Sequence, residues 1–346
     1  MTHPHPDAPA APTRIARRWP IAVRRAVPED RDEAIAFSTT TFDGWDYIAE
    51  VWDRWTADRE GAFLVATAEA GPGGEAPVDR DGRALAPGQV VAITHLAALS
   101  ATEGWVEGIR VDPAVRGMDV ATDLQGEVLR WARDLGMTIV RYVTSGSNHG
   151  SLRLGARHGL LPVAWYRFHG RAHEDDRTGP EGRAAVEAAL ATAEADGTLV
   201  GAVAVGDAAA WFARIAADPT FRAGHGLYEH RSWAYQALTV EALADRIRDG
   251  ELLASGAPVG SDGPWAALII NRATSLDEGE LWPALLAGDG AETIRLLDRL
   301  GGEAGPLARM RLPDPCPLRV GFEADWDRLG YRAHEGRMVV VERSLG

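Results

Sequence analysis

Apolar residues along this chain recur with two periods, and the switch between them marks out its elements. Leu124, Val128, Trp131 and Leu135 fall at i, i+4, i+7 and i+11 with Gly136 behind them, which predicts a long amphipathic helix and its stop. On either side, residues 105–111 and 139–143 have the short apolar run of a strand. Upstream, 21–25 alternates like a strand and meets Pro28, Glu29 and Asp30, a turn and helix start ahead of Ala34, Ile35 and Phe37. Ile48, Trp52 and Trp55 recur at helical spacing and place both tryptophans on a core-facing stripe. Residues 62–68 and 89–96 read as antiparallel strands, and the Gly/Pro/Asp-rich connector at 71–88 reads as an exposed, mobile loop. A short helix at 151–158 and a strand at 163–169 follow.

After a polar stretch at 173–183 a similar rhythm returns. Strands are expected at 199–205, 233–238 and 265–271, with a helix at 208–216 between the first two. Residues 281–286 then lead through Gly288, Asp289 and Gly290 into a helix carrying Ile294, Leu297 and Leu300. A strand at 306–311, a helical pattern after Pro317 and a strand at 338–342 close the chain. Strand, glycine turn, helix, strand repeats the order of 105–143, so an internal duplication is expected. The expected fold class is mixed α/β (α+β): a mixed central sheet flanked by helices, in two tandem copies. The expected division is a flexible tail at 1–19, a first domain at 20–172, a linker with a connecting helix at 173–196 and a degenerate second domain at 197–346.

Composition narrows the function. A chain of 346 residues with 46% hydrophobic residues suits two domains. The formal net charge of -14 argues against a phosphate backbone, so no nucleic acid is expected as main partner. A lone cysteine, Cys316, cannot form an internal disulfide, no apolar run is long enough for a membrane span, and a cytoplasmic location is the expectation. His3 and His5 sit in the tail, and His149, His158, His169 and His173 lack a tight spacing with other ligand types. They read as surface or loop residues, and no metal site is expected. Gly-x-Ser-x-Gly and a phosphate loop ending in Gly-Lys-Ser/Thr are both absent, which lowers hydrolase readings.

The chemistry concentrates where the 105–111 strand ends. A strand that runs through a turn into a helix N-terminus gathers unpaired N–H donors and the positive end of the helix dipole at one spot, an anion site. Arg116 adds a cation and Gly117 allows close approach of backbone. Asp119 stands in the same turn with a carboxylate: either it caps the helix and competes with an anion, or its side chain turns away. Glu107, among apolar neighbours on the strand face assigned by alternation to Trp105, Ile109 and Val111, is either a proton acceptor or a strand-edge carboxylate reaching water or an arginine. Glu103 is the weaker candidate base.

These residues resemble the GNAT superfamily of acyl-CoA N-acyltransferases. The family pattern Gln/Arg-x-x-Gly-x-Gly/Ala falls on Arg116, Gly117, Met118, Asp119, Val120 and Ala121, with its mismatch at Asp119. The upstream Val-x-Pro falls on Val111, Asp112 and Pro113, and the downstream Asn-x-x-Ala/Ser-x-x-Leu on Asn148, Ser151 and Leu154. The resemblance covers residues 20–170. It implies that the backbone of Ile109, Arg110 and Val111 pairs with the pantetheine of acetyl-CoA, that the turn from Arg116 to Thr122 receives the pyrophosphate, and that Asn148 and Ser151 complete the cofactor site. Asn148 has an equal claim as a helix N-cap. Four residues after Ser151, where many members place a tyrosine that protonates the departing thiolate, this chain has Gly155. Tyr142, with Tyr166 or water as alternatives, is the expected replacement.

The implied activity is transfer of an acetyl group from acetyl-CoA to a primary amine of a small molecule or peptide, with the region 42–56 shaping the acceptor cleft. The alternative is a non-catalytic GNAT-fold binding or scaffold protein, or a CoA sensor, with an impaired cofactor loop. A monomer is expected, with a dimer as the alternative.

Overall fold

The computed structural model describes residues 19–39, 41, 44–170, 188, 191–192, 195, 203–271, 282–301 and 309–346. The chain has a mixed α/β fold, a central mixed sheet flanked by helices, and divides into two compact units: 1–140 with 344–346, and 141–343. Of the segment expected as linker, 173–196, only 188, 191–192 and 195 lie among the described residues. Residues 161–170 pair with strands near the C-terminus, a long-range choice that local composition does not encode.

In the first unit, β1 (Ile21–Arg25), β2 (Ala62–Ala68), β3 (Val90–Ala98) and β4 (Glu103–Val111) pair antiparallel in that order. β2 is buried along its whole length, which requires cover on both faces. Helices α1 (Arg31–Ser38) and α2 (Ile48–Ala57) supply it through a core of Phe37, Ile48, Trp52, Trp55, Phe63 and Ile93. α3 (Val120–Asp134) supplies the other side, touching all four strands and burying Leu124, Val128 and Leu129. The tryptophan stripe therefore lies in the core as expected, with Trp52 and Trp55 edge-on to Phe63. Gly136 ends the helix in the left-handed region at φ 84°, where a Cβ would be strained.

Two expectations need correction here. The connector at 71–88 is not loose throughout: buried Asp79 accepts the N–H groups of Asp81 and Arg83 through Oδ1, closing a turn that a bridge between Val78 and Ala84 continues. Trp19, grouped by composition with the tail, is buried and donates its Nε1–H to the Val78 carbonyl at 2.7 Å.

The second unit continues from β5 (Ile139–Ser145) through α4 (His149–Arg157) to β6 (Leu161–Gly170), which pairs antiparallel with β12 (Arg309–Pro313) and β13 (Arg332–Ser344). Between them lie α5 (Ala208–Ala217), α6 (Pro219–Ala223), a β7–β8 hairpin (Leu227–Arg231 and Ala234–Ala237), α7 (Val240–Arg248), the antiparallel sheet β9 (Leu252–Gly256), β10 (Trp265–Asn271) and β11 (Trp282–Gly288), and α8 (Gly290–Gly301). α9 (Glu323–Arg328) precedes β13. The strand expected at 199–205 is not found where it can be assessed: Val205 opens a 3-10 turn, and 199–202 lie outside the described residues, as do 306–308 of the strand expected at 306–311, whose remainder falls in β12.

His169, read from spacing as a surface residue, is buried on β6 and donates Nδ1–H to the Arg167 carbonyl at 3.0 Å. Burial, helped by the Arg319 cation, holds its pKa down at about 4; burial and the Arg246 cation do the same for His230 on β7. The unfolded chain takes up these protons near pH 6.5 and the fold only near 4, so stability falls as pH drops through that window. Each imidazole contributes up to about 1.4 kcal/mol per pH unit to that loss. His169→Gln is therefore expected to lose less urea resistance than the wild type between pH 7 and pH 5. An equal loss would exclude His169 as a source.

Candidate active site

The centre of the first unit's chemistry is an irregularity in β4. Ile93 pairs with Arg110 and His95 with Glu107, so three residues of β4 span two of β3, and the extra residue is accommodated beside Gly108 at φ 66°. This bulge corrects the alternation read from sequence. Directly paired residues share a face, so Glu107 sits with Trp105 and Arg110, while Ile109 and Val111 are shifted off that face.

Around Glu107 the side chains are tightly tied. His95, itself buried, places Nδ1 at 2.9 Å from Glu107 Oε1 and Nε2 at 2.9 Å from Asp58 Oδ2. The imidazole is stacked on Trp55, centroids 4.5 Å apart and planes 17° apart, with Phe63 edge-on at 6.2 Å. Asp58 follows α2 in a turn of its own making: Oδ1 accepts the N–H groups of Glu60 and Gly61, both at 3.0 Å, which leaves Oδ2 aimed at the ring. Gly61 is required there, because a Cβ would overlap the Leu96 carbonyl and Asp58 Oδ2. Burial works against the Asp58 charge, but the hydrogen bonds from His95 and the two amides outweigh it and hold its pKa at about 2.

On the same face Arg110 grips Asp46, Nε to Oδ2 at 2.6 Å and Nη2 to Oδ1 at 3.2 Å, and lies over the Tyr47 ring at 5.3 Å. Burial raises the Tyr47 pKa, opposed by Arg110 and reinforced by Glu107. Tyr47 continues outward to Trp45, which is 55% exposed, so an aromatic wall runs from solvent toward the carboxylate. Glu103, the weaker candidate base, opens β4 in a buried position. Four residues of strand, about 13 Å, separate it from Glu107.

β4 then enters the expected turn. Asp112 Oδ1 accepts the Ala114 N–H at 2.8 Å, and exposed Arg116 donates Nε–H to the Val111 carbonyl at 3.1 Å. Gly117 at φ 84° and Asp119 at φ 61° are both left-handed. Met118 and Val120 are buried and fix the turn against the core, while Ala121 and Thr122 lie half-buried in the first turn of α3. Asp119 occupies the N-cap position but makes no side-chain capping bond; the first ladder bond of α3 runs from Asp123 N–H to the Asp119 carbonyl. Of the two sequence readings, the carboxylate that caps the helix is not the one adopted. The left-handed backbone also explains why the family pattern places glycine at this position. A phosphate-bearing group such as the pyrophosphate of an acyl-CoA suits this donor set: a helix N-terminus, an exposed guanidinium and a glycine with no side chain in the way.

The remaining candidates lie in the second unit. Asn148 accepts the Ser151 N–H at 3.1 Å and thus takes the N-cap of α4. Tyr142 is buried and donates its hydroxyl to the Ser151 carbonyl at 2.8 Å, and burial raises its pKa. Its hydroxyl fills the space above Gly155, where a Cβ would overlap it. Tyr166 donates to the Gly224 carbonyl at 3.0 Å inside the core. His149 is exposed, His158 is half-buried at the end of α4 and His173 lies outside the described residues. Among the described residues no group of three His, Cys, Asp or Glu is placed to hold a metal ion, and no helix is long and apolar enough to cross a membrane.

Sequence reasoning missed His95 and Asp58. His95 is the one titratable residue inside the apolar run of β3, and a strand with Glu107 was expected nearby, so register was the missing information. Asp58 follows α2 in a polar stretch that looks like an ordinary turn.

Residues 32–160 match the model of the acetyltransferase (GNAT) family, a segment that contains all but the first residue of α1 and the whole of α2 to α4 and β2 to β5. Solved structures that match include a GCN5-related N-acetyltransferase from Sphaerobacter thermophilus, 15% identical over 94% of this chain and 96% of that one, with TM-score 0.46. Another from Kribbella flavida is 16% identical over 94% of this chain and 72% of its own, with TM-score 0.45. Ard1 from Thermoplasma volcanium is 21% identical over 42% of this chain and 85% of its own, with TM-score 0.33. No curated protein sequence matches the chain.

Proposed function

We propose that this protein transfers an acetyl group from acetyl-CoA to a primary amine of a small molecule or peptide. The observation that carries the reading is the placement of half-buried Glu107 at the β4 bulge, on the same strand that ends in the left-handed turn before α3. The residue we read as proton acceptor and the turn we read as anion site thereby share one strand within the segment matching the acetyltransferase family, which supports the reading.

Acetyl-CoA, when bound, supplies the acetyl group as a thioester. The chain supplies the rest. The amides of the turn, Arg116 and the positive end of α3 would hold the pyrophosphate, and backbone of Ile109, Arg110 and Val111 would pair with the pantetheine arm. The aromatic wall from Trp45 to Tyr47 would flank the acceptor, and Glu107 would take the ammonium proton so that a neutral amine attacks. The net charge of -14 favours encounter with a cationic amine. A degenerate duplication is supported by the second unit: β9, β10 and β11 form an antiparallel set, and β11 passes through Gly288, Asp289 and Gly290 into α8. There Asp289 Oδ1 does cap, accepting Ala291 and Glu292 N–H at 3.0 and 3.1 Å.

Calorimetric titration with acetyl-CoA tests the reading. Saturable binding is expected, tightened about 3- to 10-fold in Asp119→Gly, since removing a half-exposed charge near a pyrophosphate is worth roughly 1 kcal/mol. Arg116→Ala is expected to weaken it. No heat and no thermal shift at millimolar ligand would leave a non-catalytic scaffold as the better reading, and binding without amide formation across an amine panel would leave a CoA sensor.

A further inference from the structure

His95 has a geometry that a merely structural histidine does not need. Both ring nitrogens face carboxylate oxygens at 2.9 Å, one from the C-terminal end of α2 and one from β4, and the ring is locked by stacking on Trp55. A neutral imidazole has one donor and one acceptor nitrogen, so between two carboxylates one contact is favourable only if a proton is added, either to the ring or to a carboxylate.

We propose that His95 is a positioning residue that receives the substrate proton through Glu107, with Asp58 fixing its tautomer. In the resting state Nε2–H donates to Asp58 Oδ2 and Nδ1 is the acceptor facing Glu107. Glu107 takes a proton from the acceptor ammonium, breaking an N–H bond and forming an O–H bond. That O–H bond then breaks as Nδ1–H forms, which regenerates the Glu107 carboxylate and leaves an imidazolium with one N–H on each carboxylate. No oxidant or other co-reactant is involved. Asp58 keeps its charge throughout: its Oδ1 is held by two amides, and its pKa of about 2 makes it a stabiliser of the imidazolium and a poor proton acceptor.

Other groups around the cluster are consistent with this role. From β1, Arg25 donates to the carbonyls of Asp58 at 3.3 Å and Gly61 at 2.8 Å, adding positive charge beside the Asp58 turn. From β2, Phe63 offers an apolar edge to His95, and from the start of α2 Tyr47 lies within the field of Glu107. Thr94 donates its hydroxyl to the Glu107 carbonyl at 3.3 Å and fixes that residue's backbone.

This inference rests on the acetyltransferase reading, and two arms of the test keep the two apart. The first is steady-state kinetics of amide formation over pH 5 to 9 with the full chain and acetyl-CoA. His95→Gln keeps hydrogen-bonding capacity but cannot take the proton, and Asp58→Asn keeps Oδ1 on its two amides while turning an NH2 donor toward Nε2, which forces the wrong tautomer. Both are expected to lower kcat on the order of 10- to 100-fold, with KM for the amine near wild type and the acid limb of the kcat profile displaced. Wild-type kcat and an unmoved limb in both variants would overturn the relay. The second arm is 15N NMR of the imidazole, which needs no activity: Nε2–H is expected in the wild type and Nδ1–H in Asp58→Asn. An unchanged tautomer would overturn the role given to Asp58. A wild type that acetylates nothing yet shows the expected tautomer exchange would count against the acetyltransferase reading and for the cluster's geometry.

Discussion

Glu107→Gln is expected to lower kcat for amide formation by about 100- to 10,000-fold, the range that a positioned general base contributes, with KM for the amine little changed. The substitution preserves shape. Glutamine can turn its NH2 donor toward the acceptor His95 Nδ1 at the position of the carboxylate oxygen, so the stack of Trp55 on His95 and the pairing of β3 with β4 should persist. What is lost is the charge that makes an oxygen basic, near a tyrosine whose ionisation Glu107 already disfavours. Initial rates with a panel of primary amines at saturating acetyl-CoA decide the matter, and a variant turning over like the wild type would remove Glu107 from the chemistry. A fall confined to kcat/KM, through KM, would instead make it an acceptor-binding carboxylate.

Gly108→Ala is expected to cost about 2–5 kcal/mol of stability, the sum of a left-handed non-glycine residue and an overpacked core site. At φ 66° a Cβ would lie 2.5 Å from Trp55 Cη2 and 2.6 Å from Cζ3, with Ile48 Cδ1 at 3.4 Å. Those ring atoms are not the far end of a flexible chain. Trp55 is wedged between Phe63 and His95, so displacing it opens the core of the first unit and unseats the imidazole together. Urea unfolding followed by tryptophan fluorescence measures the first effect and turnover at low temperature the second. A stability within about 0.5 kcal/mol of wild type, the scatter of neutral substitutions, would mean that the bulge relaxes without moving Trp55.

Much of this frame was legible in the sequence, for physical reasons that differ by element. α3 was readable because its apolar stripe, its length and its glycine stop are all local. The turn from Arg116 to Thr122 was readable because left-handed residues and a helix start leave a chemical signature, even though Asp119 disguised one of them. β13 was only partly so: it runs from Arg332 to Ser344, but its first six residues are exposed, and strand identity there comes from pairing with β6. The face of Arg110 was misread because period-two alternation assumes an unbroken ladder, and a bulge one residue long inverts everything beyond it. His95 and Asp58 escaped for a related cause. Their partnership spans 37 residues and depends on where α2 ends relative to β3, which neither propensity nor spacing specifies.

Gly155 and Tyr142 constrain how the chain can change. Their atoms claim one volume: the hydroxyl of Tyr142 lies where any side chain on Gly155 would begin. Placing a tyrosine on the helix at position 155 would therefore collide with the one on the strand, and removing the strand tyrosine alone would leave a void beside a bare glycine. Each single exchange is therefore expected to lower the urea midpoint, and the pair exchanged together to lower it by less than the two singles combined, a case of coupling between neighbouring sites. Packing alone thus ties the identities of positions 142 and 155 together, whatever the catalytic merits of either tyrosine.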